Sequence, residues 1–294
     1  MAGETNDSWT IKSLLNWAEP YFDSHGIDSP RLTAEILLAD CLGLRRLDLY
    51  LQHDRPLEQP ELAGFKSLIK RRVSREPVAY ITGEKGFFDA VFRVGKGVLI
   101  PRPDTEVLVE NAIATLEAFD GPARILELGV GSGAIIVSLA KACPGHRFFA
   151  SDLAKAPLAT AQDNARRIAG DASISFFRGS WLDAVRPGAG FDLILSNPPY
   201  IPAQDILGLE PEIREHEPRL ALDGGPDGLD AIRIILGQAE GCLAPGGQVM
   251  LEMGFDQKKG LTALAENFPW ISDCRFIRDL AGHDRVAVVK KEID

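Results

Sequence analysis

Residues 125–133 read Ile125-Leu126-Glu127-Leu128-Gly129-Val130-Gly131-Ser132-Gly133. An apolar run of strand length stops at a cluster of glycines, and an apolar helical pattern over residues 133–142 begins inside it. The same alternation continues downstream. Strands are predicted at 124–128, 147–151, 173–177, 191–196 and 247–253, with helices at 157–168 and 228–243 and two last strands at 274–278 and 285–290. Strands and helices in alternation give an α/β fold, a mainly parallel sheet with helices on both faces.

Upstream the period is helical. Thr10 is placed to cap a helix carrying Ile11, Leu14, Leu15 and Ala18. Ser29-Pro30 opens a second, with Leu32, Ile36, Leu37, Cys41 and Leu42 as its apolar stripe and Gly43 at its end. A third runs from 61 to about 75, its basic end Lys70-Arg71-Arg72 suiting the helix dipole. From 77 to 98, Val78, Tyr80, Ile81, Phe87, Phe88, Val91, Phe92 and Val94 lie among glycines, as in a strand pair. Pro101 and Pro103 exclude helix until Asp104 or Thr105 can cap the next one. These shifts divide the chain into a helical domain over 1–76, a β-hairpin linker over 77–105 and an α/β domain over 106–294.

Composition excludes several classes. The chain has 294 residues, 45% hydrophobic and 25% charged, with a net charge of −10 and a pI near 5.1. Such an acidic chain is a poor general nucleic-acid binder, because phosphate binding needs clustered Lys and Arg. Cys41, Cys143, Cys242 and Cys274 lie far apart, so no metal site is expected and the thiols read as reduced, in a cytoplasmic protein. Met1 to Thr10 lacks the basic and apolar regions of a signal peptide. No apolar run approaches the roughly 20 residues of a membrane span.

The glycine loop has the form E-x-G-x-G-x-G, not the dinucleotide pattern G-x-G-x-x-G, and it lacks the lysine of a phosphate loop. It resembles motif I of S-adenosylmethionine-dependent methyltransferases. That resemblance implies a Rossmann-like class I methyltransferase sheet, with S-adenosyl-L-methionine as cofactor and S-adenosyl-L-homocysteine as product. It also implies an acid closing the next strand to hold ribose hydroxyls, where Phe148-Phe149-Ala150-Ser151 ends in Asp152. The other reading of Asp152 is a helix cap. Trp181, in Gly179-Ser180-Trp181, is placed either to pack on adenine or in the core.

A second motif, Ser196-Asn197-Pro198-Pro199-Tyr200, follows the strand at 191–196. Ligands of open α/β sheets bind outside the carboxyl ends of the strands, so Asn197 should face the same crevice as the glycine loop. Pro198 and Pro199 fix φ and donate nothing, while their carbonyls and the Asn197 side-chain oxygen accept. Rigid acceptors beside an aromatic ring suit a planar –NH2 group, with Tyr200 stacked on its plane. Accepting both protons would help localise a delocalised nitrogen lone pair, and alignment would do the rest. A carboxylate would meet acceptor against acceptor, rejecting glutamate over glutamine by roughly 10⁴-fold. Asn-Pro-Pro-Tyr turns of this kind resemble those of methyltransferases acting on adenine in DNA, on guanine in RNA or on protein glutamine. The motif alone does not choose.

The rest of the chain narrows the choice. Glu76-Pro77-Val78-Ala79-Tyr80-Ile81-Thr82-Gly83 and Leu99-Ile100-Pro101-Arg102-Pro103-Asp104-Thr105-Glu106 resemble the peptide-chain-release-factor glutamine methyltransferase family, also called HemK or PrmC. So do Asn197 to Ile201, Glu217-Pro218-Arg219-Leu220-Ala221-Leu222, Gly225 to Leu229 and Asp279 to Arg285. The resemblance implies methylation of the glutamine in the Gly-Gly-Gln loop of class 1 release factors, which modulates translation termination. It implies a monomer whose helical domain helps dock the release factor, without stable nucleic-acid or membrane binding. Carried over by position, Glu127, Gly129, Val130, Gly131, Ser132, Gly133, Asp152 and Trp181 hold the cofactor. Asn197 touches cofactor and substrate, and Asn197, Pro198, Pro199 and Tyr200 bind the glutamine, with Asn197, Pro198 and Tyr200 as the catalytic set. Glu127 stands where many relatives have aspartate, and Ser180 likewise. Arg102 and Glu106 are placed either to order the hairpin against the active site or, the preferred reading, to form a structural salt bridge, and His283 reads as a turn residue rather than a general base.

Two other classes compete. A nucleic-acid amino methyltransferase would need a basic groove, which the acidic pI argues against. A non-catalytic scaffold would have no use for an intact glycine loop, Asp152 and Asn197 together.

Overall fold

The computed structural model describes residues 9–170 and 172–293. The expected absence of a leader at Met1–Thr10 therefore falls largely outside the described residues. The chain forms two compact units, one of residues up to 83 with 210–216, the other of 84–209 with 217 onward.

The first unit holds α1 (Ile11–Ser24), α2 (Pro30–Leu42), α3 (Arg46–Leu51), α4 (Gln59–Val73) and α5 (Val78–Thr82), joined by the later short helix Pro211–His216. Its core is built on Ile11, Phe22, Leu37, Leu38, Leu49 and Phe65. Thr10 caps α1 as expected, in a reciprocal pair with Ser13. Ser29 does not cap α2: its backbone sits at φ 48°, outside the extended region a side-chain cap requires. The stripe on α2 also differs. Leu32 is exposed, and Thr33, Ala34, Glu35, Leu37 and Leu38 are buried, because α1, α3, α4 and α5 surround the helix. The expected strand around Val78–Ile81 is instead a helical turn. Pro77 sets φ at −57°, its carbonyl accepts from Tyr80 and Ile81, and Gly83 stops the turn in the left-handed region.

The second unit opens with the hairpin β1 (Glu84–Phe87) and β2 (Ala90–Arg93), then α6 (Glu106–Glu117). Its sheet comprises β3 (Arg124–Leu128), β4 (Arg147–Asp152), β5 (Ile174–Arg178), β6 (Phe191–Ser196), β7 (Leu243–Glu252), β8 (Ile271–Arg278) and β9 (Asp284–Lys291). The order is β5-β4-β3-β6-β7-β9-β8. The first five are parallel, and β9 runs antiparallel to both its neighbours. Helices α7 (Ala134–Ala142), α8 (Lys155–Ile168), α10 (Asp230–Ala239) and α11 (Lys258–Ala265) cover it, α9 being Pro211–His216. This is the class I methyltransferase architecture. Strand β7 begins at Leu243, where a helix was expected to continue, because Leu243 pairs with Phe191 before an irregularity at Pro245-Gly246-Gly247 shifts the register to Leu193–Gln248.

The strand order reverses beside β3. The chain moves outward through β4 and β5, then returns to place β6 on the other side of β3. Loops after β3 and β6 therefore diverge and leave a crevice at their carboxyl ends. Among the described residues no helix is long and apolar enough to cross a membrane, and no group of three His, Cys, Asp or Glu side chains is arranged to hold a metal.

Candidate active site

Strand β3 is buried along its length and releases the glycine loop at Gly129. The Val130 amide donates to Ser151 at 2.9 Å, and the Gly131 amide donates to the Asp152 carboxylate at 3.1 Å. Gly133 closes the loop at φ 82°, and a Cβ there would press on Ala161 and Val137 at 3.1 Å. Only glycine lets α7 start so close to α8. Asn164, fully buried on α8, ties the loop down: its Nδ2 donates to the Ser132 carbonyl at 2.8 Å and to the Arg93 carbonyl at 2.9 Å.

Above the loop lies a cleft of about 350 Å³. Glu127, Gly129, Val130, Gly131, Ser132, Asp152, Trp181, Asn197 and Pro199 line it, brought together from four strand ends. Gly133, Pro198 and Tyr200 do not line it. Gly133 serves helix packing, Pro198 is buried, and Tyr200 turns its hydroxyl onto Glu252 at 3.2 Å instead of presenting its ring to the cleft.

The cleft is acidic. Glu127 is buried, and its Oε2 accepts from the Ile136 amide at 2.9 Å. Burial pushes its pKa well up; the Ile136 amide opposes, and the nearby Asp152 charge adds to the rise. Asp152 is also raised by burial, against the amides of Ala154, Gly131 and Leu153. Its two oxygens accept from Ala154 and Gly131, so it braces the loop in the manner of a cap while lining the cleft. Among the described residues lining the cleft, Arg102 is the one cation, and it is paired with buried Glu217. Buried carboxyls without a facing cation suit a ligand that brings positive charge, and Trp181, Val130, Ile135 and Leu153 give it apolar walls. Trp181 holds φ at 47°, a conformation bulky residues rarely adopt, and packs partly on the core cluster that includes Leu126, Leu128 and Leu182.

The turn after β6 is braced from behind. Gln257 Nε2 donates to the Tyr200 carbonyl at 2.9 Å. Gly228, at φ 75°, passes so close that a Cβ would lie 2.3 Å from the same carbonyl oxygen. Asn197 Nδ2 donates to Thr105 Oγ1 at 3.1 Å. Thr105, expected as a cap for α6, makes no cap bond; it is buried in a 3-10 turn, Pro103–Thr105, with its hydroxyl facing Asn197. Glu106 does secure the hairpin, accepting from the Phe88 amide at 2.9 Å, but Arg102 pairs with Glu217, which also accepts from Ile100 at 3.1 Å.

Sequence reading missed Thr105, Glu252, Asn164, Glu217 and Gln257. Glu252 carried a signal. It closes an apolar strand as Asp152 does, and the pairing Ser196–Leu251 puts it level with Asn197. Burial pushes it up to about 7; the nearby Thr105 hydroxyl, the Tyr200 hydrogen bond and Arg285 oppose, while Asp104 adds. Tyr200 is raised in turn by burial and by Glu252.

Residues 13–83 match the family described as PrmC N-terminal domain, and residues 104–210 match the methyltransferase small domain. The release factor glutamine methyltransferase of Geobacter sulfurreducens is 42% identical over 96% of this chain and 97% of its own length. That of Rhodopirellula baltica is 37% identical over 99% of this chain and 100% of its own. A methyltransferase structure from Pyrococcus furiosus superposes with a TM-score of 0.51 at 20% identity, covering 76% of this chain and 98% of that one, a likeness of fold.

Proposed function

The chain belongs to the release factor glutamine methyltransferase family, and on that premise we propose that it methylates the side-chain amide nitrogen of the Gly-Gly-Gln glutamine in class 1 release factors. S-adenosyl-L-methionine, when bound, supplies a methyl group on a sulfonium that departs as a neutral thioether. Glu127, the loop Gly129–Ser132, Asp152 and Trp181 would hold it, the carboxyls matching its positive charge and hydroxyls, the indole its base. Gly133 would act by letting the loop close on α8.

Asn197 carries the reading. Its nitrogen is engaged by Thr105, which leaves its Oδ1 to accept from a substrate –NH2 in the cleft. Pro198 and Pro199 stiffen the turn so that this oxygen keeps its aim. Drawing on the amide protons localises the nitrogen lone pair. With the cofactor bound, transfer would form the N–CH3 bond as the S–CH3 bond breaks, and the proton lost from that nitrogen would leave along its hydrogen bond to the Asn197 oxygen and pass to water. Tyr200 acts from behind the turn through Glu252, a departure from the expected stacking. We also propose that the protein is a cytoplasmic monomer without stable nucleic-acid contacts, which accords with its net charge of −10.

The test is mass spectrometry of an unmodified release factor after incubation with S-adenosylmethionine and this protein. One methyl on the loop glutamine is expected. It should be absent from a Gln→Glu loop mutant and from duplex DNA, and reduced on the order of 10³-fold by Asn197→Ala. Methylated DNA with an untouched release factor would overturn the reading.

A further inference from the structure

A buried polar chain leads from Asn197 and Thr105, which line the cleft, back to Glu252 and Tyr200, which do not. Asn197 Nδ2 meets Thr105 Oγ1 at 3.1 Å, and Tyr200 OH meets Glu252 Oε1 at 3.2 Å. Thr105 is 4% exposed and Glu252 1%. The Thr105 hydroxyl lies near enough to steady the Glu252 charge, yet Glu252 Oε2 has no aligned hydrogen bond. A buried oxygen in that position takes the nearest proton that can rotate toward it. That proton is the Thr105 hydroxyl's. Thr105 has only one, so giving it to Glu252 leaves Oγ1 as a pure acceptor, and an acceptor can face only the nitrogen of the Asn197 amide.

We infer that Glu252 and Thr105 are positioning residues that decide which end of the Asn197 amide meets the substrate. With Glu252 ionised, the chain runs Asn197 N–H to Thr105, Thr105 O–H to Glu252, and the Asn197 oxygen faces the cleft. With Glu252 protonated, its own proton goes to Thr105, the Thr105 proton turns to Asn197, and the amide must present –NH2. A donor there opposes the –NH2 of a substrate glutamine. The inference rests on the proposed role of Asn197 as the acceptor for that group.

The groups facing Glu252 come from three other elements: Tyr200 after β6, Thr105 and Asp104 from the 3-10 turn, and Arg285 from β9. Arg285 is held by Asp104 at 2.9 Å and by Asp279 at 3.0 Å, so it steadies the charge without sitting on it. Burial, the largest influence, pushes the carboxyl up to about 7. Release-factor methylation should weaken as pH falls through that value.

Two measurements test this. The first follows kcat and KM for the release factor from pH 5.5 to 8.5. Thr105→Val should lower kcat/KM on the order of 10²-fold with S-adenosylmethionine affinity unchanged, and Thr105→Ser should restore it to within about 3-fold of wild type. Glu252→Gln should remove the acid limb of the pH profile. The second needs no substrate: the 15N-resolved signal of the Asn197 side-chain amide should titrate near pH 7 in the wild type and stay flat in Glu252→Gln. A flat wild-type signal, an acid limb surviving in Glu252→Gln, or full activity in Thr105→Val would overturn the inference. Failure of the wild type to methylate the release factor overturns the proposed function instead, and the amide titration still judges the wiring.

Discussion

Glu35 and Glu212 in the helical unit, and Glu127 and Glu252 at the strand ends of the sheet, are all largely buried carboxyls, yet their environments pull in opposite directions. Around Glu35, burial pushes the pKa up, but hydrogen bonds from Tyr50, Arg46 and Arg31 bring it below its ordinary value. Glu212 is likewise pushed up by burial and brought down by Arg72, at 2.8 Å, and Arg75, at 3.3 Å. Glu127 and Glu252 have no cation in hydrogen-bond contact, and burial leaves both raised. A carboxyl matched inside the chain holds the fold together. A carboxyl left without a cation, as Glu127 is in the cleft and Glu252 is behind the asparagine turn, is kept ready for something else.

The sharpest way to break this contrast is Arg72→Met. It keeps the stem's packing but leaves Glu212 with only the more distant Arg75, and should destabilise the helical unit by about 2–4 kcal/mol. Faster amide exchange along Gln59–Val73 is the readout, and unchanged exchange would mean the pair contributes little. Glu252→Gln should act with the opposite sign. Its folded pKa is raised from 4.5 to about 7, so the native state holds a proton the unfolded chain releases, and stability falls as pH rises through that window. Removing the charge should stabilise the second unit at pH 8 by at most roughly 3 kcal/mol, and the gain should vanish below pH 4.5. Denaturant midpoints at the two pH values would show it, and a loss at pH 8 would end the contrast.

The smallest effect is expected at Glu35. Its pKa is lowered, so its contribution is present above the ordinary 4.5 and is lost as pH falls through the lower folded value. Glu35→Gln should cost about 1 kcal/mol at pH 7, because Arg31 and Arg46 are partly exposed and water takes over their charge. The difference between variant and wild type should close in acid, as read by helical circular dichroism.

The α/β alternation was legible because each strand of the parallel sheet is apolar enough to announce itself and each turn carries its glycine or proline. Gly129 to Ser132, Asp152, Trp181, Asn197 and Pro199 were legible for a related reason. They sit at strand ends, and strand ends of such a sheet converge. The failures were local choices between near-equal conformations. Residues 78–82 are short and apolar, and periodicity cannot tell a strand from one helical turn there. Leu32, expected in the buried stripe, is exposed and Glu35 is buried, because α2 is surrounded on several sides and no single stripe describes it.

Tyr200 shows where reading by motif ends. Its place in Asn-Pro-Pro-Tyr suggested a ring against the substrate, but Glu252 takes its hydroxyl and Gln257 its carbonyl. Thr105 read as a helix cap because local sequence offered it one, yet Asn197 claims its hydroxyl from 92 residues away.

By itself the sequence determined the layered sheet, the glycine loop and the asparagine turn, because these are written in runs of neighbouring residues whose backbone preferences are local. Only the tertiary structure decided which way the Asn197 amide faces and what holds it there. Thr105, Tyr200 and Glu252 come from three separate segments, and a hydrogen bond between them exists only once the sheet has set β6 beside β7. Where a buried proton goes depends on the nearest acceptor in space, and that distance is fixed by packing, not by order along the chain.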